Sequence, residues 1–215
     1  MFETDWIAYL PDLLRGLWLT LVLTATSMIF GTLIGFPLAL MKMSQSRISR
    51  GIAAVYGTLV RGLPLLVQIL LVYFALPLLT GMRLPAIVAG GVAMALYTAG
   101  FMAEVFRSGI QSVDKGQMEA GRSIGFGHWQ TMRLVVLPQA FWIMLPNVAN
   151  QFSITLKNTS LLSVIGVMEL TMAGQTIYAM NFDTVRVLAL VGVMYLVIVL
   201  IAEQITAFIE RKMPK

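Results

Sequence analysis

The sequence contains no cysteine and a single histidine, His128. The first absence excludes a disulfide framework, a thiolate nucleophile and a cysteine-ligated metal. The second leaves no set of imidazoles from which to build a zinc site, so no metal ligands are expected. Charge is scarce too. Asp, Glu, Lys and Arg make up 12% of the 215 residues, against roughly 25% in soluble domains. That is too little to coat a water-facing surface, and the low charge also excludes a disordered chain. No Gly-Lys dipeptide occurs. The chain therefore has no P-loop and no ATPase activity of its own. The N-terminal Met1-Phe2-Glu3-Thr4-Asp5-Trp6 lacks the basic stretch of a signal peptide and is expected to be retained.

Apolar residues take the place of charge. The set AVILMFWYC accounts for 58% of the chain, and the mean hydropathy is +0.83. Fifteen methionines suit adaptable packing between helices. A membrane-crossing helix needs about 20 apolar residues. Five stretches supply them: 13–41, 53–79, 84–106, 134–156 and 185–209. The first exceeds what the hydrocarbon requires and is expected to tilt or to begin outside it. Stretch 161–172 is too short to cross and reads as re-entrant or interfacial. The expected fold is a single all-α integral membrane domain over residues 1–215, with a five-helix core over about 13–209.

Lys and Arg placement orients the spans. Lys42, Arg47, Arg50, Arg61, Arg107, Lys115, Arg122, Arg133, Arg211, Lys212 and Lys215 fall on one side. Only Arg15, Arg83, Lys157 and Arg186 fall on the other. The side rich in cations is cytoplasmic. The N-terminus is thus expected outside and the C-terminus inside, as an odd number of spans requires. The net charge of +5 is then a topology signal and not a mark of nucleic-acid binding. Gly31 and Gly35 in the first span, and Gly91, Ala95, Ala99 and Ala103 in the third, are spaced four apart. Such stripes admit close helix contact, although small residues are also common in membrane helices generally.

The longest hydrophilic segment, about 107–133, lies on the cytoplasmic side. A short helix is expected around Glu119-Ala120, stopped by Gly125-Phe126-Gly127. A second short helix is expected from His128-Trp129 to Leu137-Pro138. Phe126 and Trp129 read either as exposed apolar tips that dock a soluble partner or as interfacial aromatics at the lipid surface.

Here the sequence resembles a known family. Glu119-Ala120-Gly121, three residues, Gly125, nine residues, then Val135-Val136-Leu137-Pro138 resembles the EAA motif of type I ABC importer permeases. It departs from the motif only in Gly121 for Ala and Val135 for Ile. Three further blocks resemble the polar amino acid subfamily of the histidine, glutamine and glutamate type. They are Arg61-Gly62-Leu63-Pro64-Leu65-Leu66-Val67-Gln68, Glu104 to Ser112, and Leu156-Lys157-Asn158-Thr159-Ser160-Leu161. The first of these carries Leu63 where Thr is usual.

The resemblance implies an ABC type-1 permease in a bacterial inner membrane, importing a polar amino acid. It implies a second permease chain, identical or paralogous. It also implies two cytoplasmic ATPases that hold ATP and Mg, and a solute-binding protein outside. Glu119, Ala120, Gly121, Gly125, Leu137 and Pro138 are then the residues expected to couple to the ATPase. Glu119 either pairs with a basic group of the ATPase or forms an ion pair within the loop.

The fourth span is the polar one. Asn147, Gln151 and Thr155 are four apart and share a helical face, with Asn150 beside them. They read as the wall of a translocation path, with hydrogen bonding between spans as the competing use. Lys157 and Glu169 lie nearest the outer half. They are candidates to meet the carboxylate and ammonium of an amino acid, or to brace an outer gate. Glu104 and Glu203 are expected to pair with basic groups such as Arg107 and Arg211. Gly121-Arg122-Ser123-Ile124-Gly125 matches a nucleophile-elbow pattern, but no strand precedes it, which excludes a hydrolase. A secondary amino acid transporter or channel is the remaining alternative. It requires paired acids or a selectivity ring deep in the membrane, which these spans do not clearly carry.

Overall fold

The computed structural model describes residues 6–211. Residues 1–5, and Lys212 and Lys215 of the cytoplasmic-side count, lie outside them. Among the described residues every regular element is a helix, and there is no strand. Helix α1 is Trp6–Met43, 38 residues long with Pro11 and Pro37 inside it. Helix α2 is Arg47–Gly62 and α3 is Leu65–Thr80. Helix α4 is Ala86–Gln111 and α5 is Lys115–Ser123. Helix α6 covers residues 128–158, and a tight 3-10 turn, Thr159–Ile165, follows it. Helices α7 and α8 are Leu170–Asn181 and Thr184–Arg211. Among the described residues, four helices are long and apolar enough to cross a membrane, or up to five if the bent α2–α3 pair counts as one span.

Two sequence expectations need correction. The span expected over 53–79 is broken: α2 and α3 meet at 106°. Pro64 disfavours helical geometry in the residue before it, and Leu63 is extended at φ −96°, ψ 138°. Nor is there a separate second short helix at 128–138. That segment runs on through a π-turn at Met132–Val136 into Leu137–Asn158. The π-turn explains why Pro138 does not end the helix. Proline lacks an N–H and crowds the carbonyl four residues back. Here Leu137 N–H bonds Met132 O, five residues back, which widens the turn just ahead of the ring. Pro77 is accommodated in the same way, by a π-turn at Leu71–Ala75.

The 161–172 stretch does not form one helix. It forms most of the 3-10 turn, a reversal at Gly166, and the start of α7.

Close packing centres on α1 and α4. A β-carbon on Gly35 would stand 2.8 Å from Met102 Cβ and 2.9 Å from the Ala99 carbonyl. One on Gly31 would stand 2.6 Å from Thr98 Cγ2. The first-span glycines therefore seat against Ala99 and Ala103 of the second stripe. In lipid this is the main route to helix contact, because tails are as apolar as side chains. Gly91 and Ala95 instead face an apolar groove bordered by Phe30 and Ile34. Leu23, Ile69, Met94, Leu162 and Ile165 form one core cluster, and Leu13, Leu170, Ile177 and Val187 another.

Candidate functional site

Between α4 and α6 the chain forms a small knob. Asp114 starts it by accepting from Gly116 N–H at 2.7 Å, which caps α5. At the other end Gly125 N–H donates to Arg122 O at 3.0 Å, and Phe126 N–H to Gly121 O at 3.1 Å. This is the Schellman turn, which needs a left-handed residue at the position Gly125 holds with φ +91°. The knob is anchored from beneath: Ile110, Val113, Val136, Ala140 and Met144 form a cluster, with Met118 and Met132 packed on it.

Gly121 departs from the motif for a steric reason. A β-carbon there would collide with the Thr131 methyl and stand 2.9 Å from its hydroxyl. Thr131 is fully buried and donates to Gly127 O at 3.1 Å. Its branched side chain has few rotamers into which to retreat.

Glu119, Ala120 and Gly125 are exposed. The Glu119 carboxylate has no cation partner among the described residues, so the ion pair within the loop is not formed. Trp129 is 66% exposed, whereas Phe126 is half-buried. Ile124, at 71% exposure, is the second apolar tip. Sequence reasoning missed it. The available clue was an apolar residue directly before a left-handed glycine. Leu137 and Pro138 sit just past the π-turn, Leu137 half-buried and Pro138 exposed.

The polar residues of α6 divide between two faces. Gln151 and Thr155 are buried against α1. Gln151 Nε2 donates to Thr155 Oγ1 at 3.3 Å, and the Thr155 hydroxyl donates to Met28 Sδ at 3.7 Å. Asn147, Asn150 and Lys157 are exposed on the uncovered side of the helix. Asn150 also borders a cavity of about 230 Å³ with Ser153, Thr206 and Glu203. Glu203 lines this space and makes no ion pair with Arg211. Glu104, as expected, pairs with Arg107.

Glu169 is fully buried. It accepts from Thr171 N–H at 3.0 Å, Met172 N–H at 2.9 Å and the Tyr195 hydroxyl at 2.7 Å. The carboxylate thus caps α7 and ties it to α8. Beside it Leu170 N–H donates to the Thr20 hydroxyl of α1 at 3.2 Å. Among the described residues, no three His, Asp or Glu side chains group closely enough to hold a metal.

A family model described as the inner membrane component of binding-protein-dependent transport systems matches residues 14–215. The chain belongs to this family. It is 36% identical over 215 residues to the glutamine transport system permease protein GlnP of Escherichia coli K12, covering 98% of each chain. It is 34% identical to the arginine transport system permease protein ArtQ of Bacillus subtilis, covering 96% of this chain and 94% of that one. Among solved structures, an amino acid ABC transporter with histidines matches with a TM-score of 0.92. Identity there is 36%, over 99% of this chain and 100% of the other. The methionine ABC transporter MetNI, inward-facing, matches with a TM-score of 0.82 over 100% of both chains. At 20% identity it shows the shared fold. The protein is thus a multi-pass inner-membrane permease subunit of the ABC importer type.

Proposed function

We propose that this chain forms half of the path of a polar amino acid importer and couples it to a cytoplasmic ATPase by alternating access. The N-terminus lies outside and the C-terminus in the cytoplasm, which puts α5 and its knob on the cytoplasmic side. The knob carries the reading. It is a capped helix of nine residues, anchored on α4 and α6, that presents Glu119, Ala120, Ile124 and Trp129 outward. An exposed apolar tip beside an unpaired carboxylate suits a cleft in a soluble partner. The motif residues beneath it divide the labour. Gly121 and Gly125 shape the knob, while Leu137 and Pro138 join it to α6.

A second permease chain, identical or paralogous, completes the path. Two ATPase subunits bind ATP and Mg, and a periplasmic or extracellular binding protein delivers solute. Relatives named for glutamine and arginine transport support an amino acid as cargo. Polar side chains in a membrane span face a bundle interior or a wet cavity and not lipid. Asn147, Asn150 and Lys157 therefore face the path or the second chain, with Lys157 suited to a carboxylate. Gln151, Thr155 and Glu169 hold the wall behind them.

The test is reconstitution of the chain with its ATPase and binding protein in proteoliposomes. Labelled glutamine or arginine uptake should require ATP and stop with vanadate. Uptake that survives vanadate and collapses with an uncoupler overturns the reading in favour of a secondary carrier.

A further inference from the structure

Charged side chains of α1 and α4 meet at the face that α2 covers. Lys42 Nζ donates to Glu104 Oε2 at 3.0 Å. Arg107 Nε donates to Glu104 Oε1 at 2.9 Å, and Arg107 also bonds Gln111 Oε1. Both carboxylate oxygens are thus held by cations from two helices. The Lys42 side chain is only 10% exposed. Gly57 of α2 leaves it room, since a β-carbon there would stand 3.1 Å from Nζ. One turn further along α2, Arg61 donates to Gly57 O at 3.1 Å.

This cluster does more than bind α1 to α4. Those helices are already pressed together through Gly31 and Gly35, about two to three turns back along α1 from Lys42. Among the described residues, the ion pairs Asp12–Arg15 and Asp183–Arg186 join residues three apart on one stretch of chain. Lys42–Glu104 joins residues 62 apart. Its position in the chain gives it a further use. Gln111 is the last residue of α4, and Asp114, three residues on, caps the knob. Side-chain bonds therefore lead from Gln111, where α4 gives way to the knob, through Arg107 and Glu104 to Lys42 of α1, beside Gly57 of α2. Partial burial shields the pairs from the screening that weakens surface ones.

We propose that Glu104 is a positioning residue for energy coupling: it makes the Lys42 end of α1, beside α2, follow the knob when the ATPase moves it. This rests on the ATP-driven import proposed above. Without the carboxylate the glycine seam still holds α1 to α4, but the Lys42 end of α1 no longer follows the knob. ATP hydrolysis continues while solute movement per ATP falls.

The experiment compares the reconstituted complex carrying Glu104→Gln, Lys42→Met or both with the parent. Glutamine and arginine serve as labelled probes, with ATP hydrolysis measured in the same vesicles. The expected result is a drop of roughly three- to tenfold in solute imported per ATP, with complex recovery and melting temperature near the parent's. The double variant should be no worse than Glu104→Gln alone, because one link is lost either way. An unchanged ratio in both single variants overturns the proposal. So does failure of both to assemble, which would make the cluster a requirement of folding. A parent complex without ATP-driven uptake overturns the import reading itself, and this inference with it.

Discussion

The Thr131 methyl occupies the volume in which a side chain on Gly121 would begin. The family motif has Ala at that position; here the space is taken by a residue ten further along the chain. Gly121→Ala should destabilise the knob by about 1–3 kcal/mol through overpacking. It should also lower substrate-stimulated ATP hydrolysis. Adding Thr131→Ser removes the methyl, keeps the hydroxyl, and should restore most of both. Thermal unfolding and ATPase assays on the complex check this pair. No rescue by Thr131→Ser would mean that the contact does not set the residue.

Gly125 is held at φ +91°. Gly125→Ala should cost about 1–2 kcal/mol, and Gly125→Asn less, because Asn tolerates the left-handed region. Gly125→Pro is incompatible with that φ and also removes the N–H bonded to Arg122 O. It should leave membrane insertion intact and abolish substrate-stimulated ATP hydrolysis, as should Glu119→Lys. Normal coupling in both would refute the assignment of the knob.

The two faces of α6 predict opposite phenotypes. Gln151→Leu removes the hydrogen bond to Thr155 and should lower stability by about 0.5–1.5 kcal/mol. Asn147→Leu and Asn150→Leu should lower uptake with little change in melting temperature. Unchanged affinity and rate in the asparagine variants would place them in contact between chains instead.

Tyr195→Phe removes the hydroxyl's bonds to the buried Glu169 carboxyl group and to the Thr171 hydroxyl, each worth about 0.5–1.5 kcal/mol. Glu169→Ala should cost more. It strips the cap from Thr171 and Met172 as well as the tie to α8. Melting temperatures of the purified complex should fall in that order. A silent Tyr195→Phe would show that the backbone cap alone holds Glu169.

Much of this was legible in the sequence, because membrane spans are long and apolar and the knob has fixed spacing. Gly125 ended α5 where its residue type demanded, and the glycine stripe of α1 met the alanines of α4. The misses share a cause. Pro64 and Pro138 look alike in sequence, yet one breaks a span and the other is absorbed. The difference lies in whether the preceding turn can widen into a π-turn, which periodicity does not reveal. Likewise a four-residue spacing put Asn147, Gln151 and Thr155 on one face. Where α1 would cover that face depended on tertiary packing. Ile124 escaped notice because exposure at a turn is decided by what packs beneath it.

The continuity of α6 has a mechanical consequence. From His128 beside the knob to Asn158 beyond the exposed asparagines, the chain is one continuous helix, roughly 45 Å long by helix rise. The π-turn carries the helix past Pro138 without a break. The knob and the asparagine face therefore stand at opposite ends of one helix, joined by its backbone hydrogen bonds.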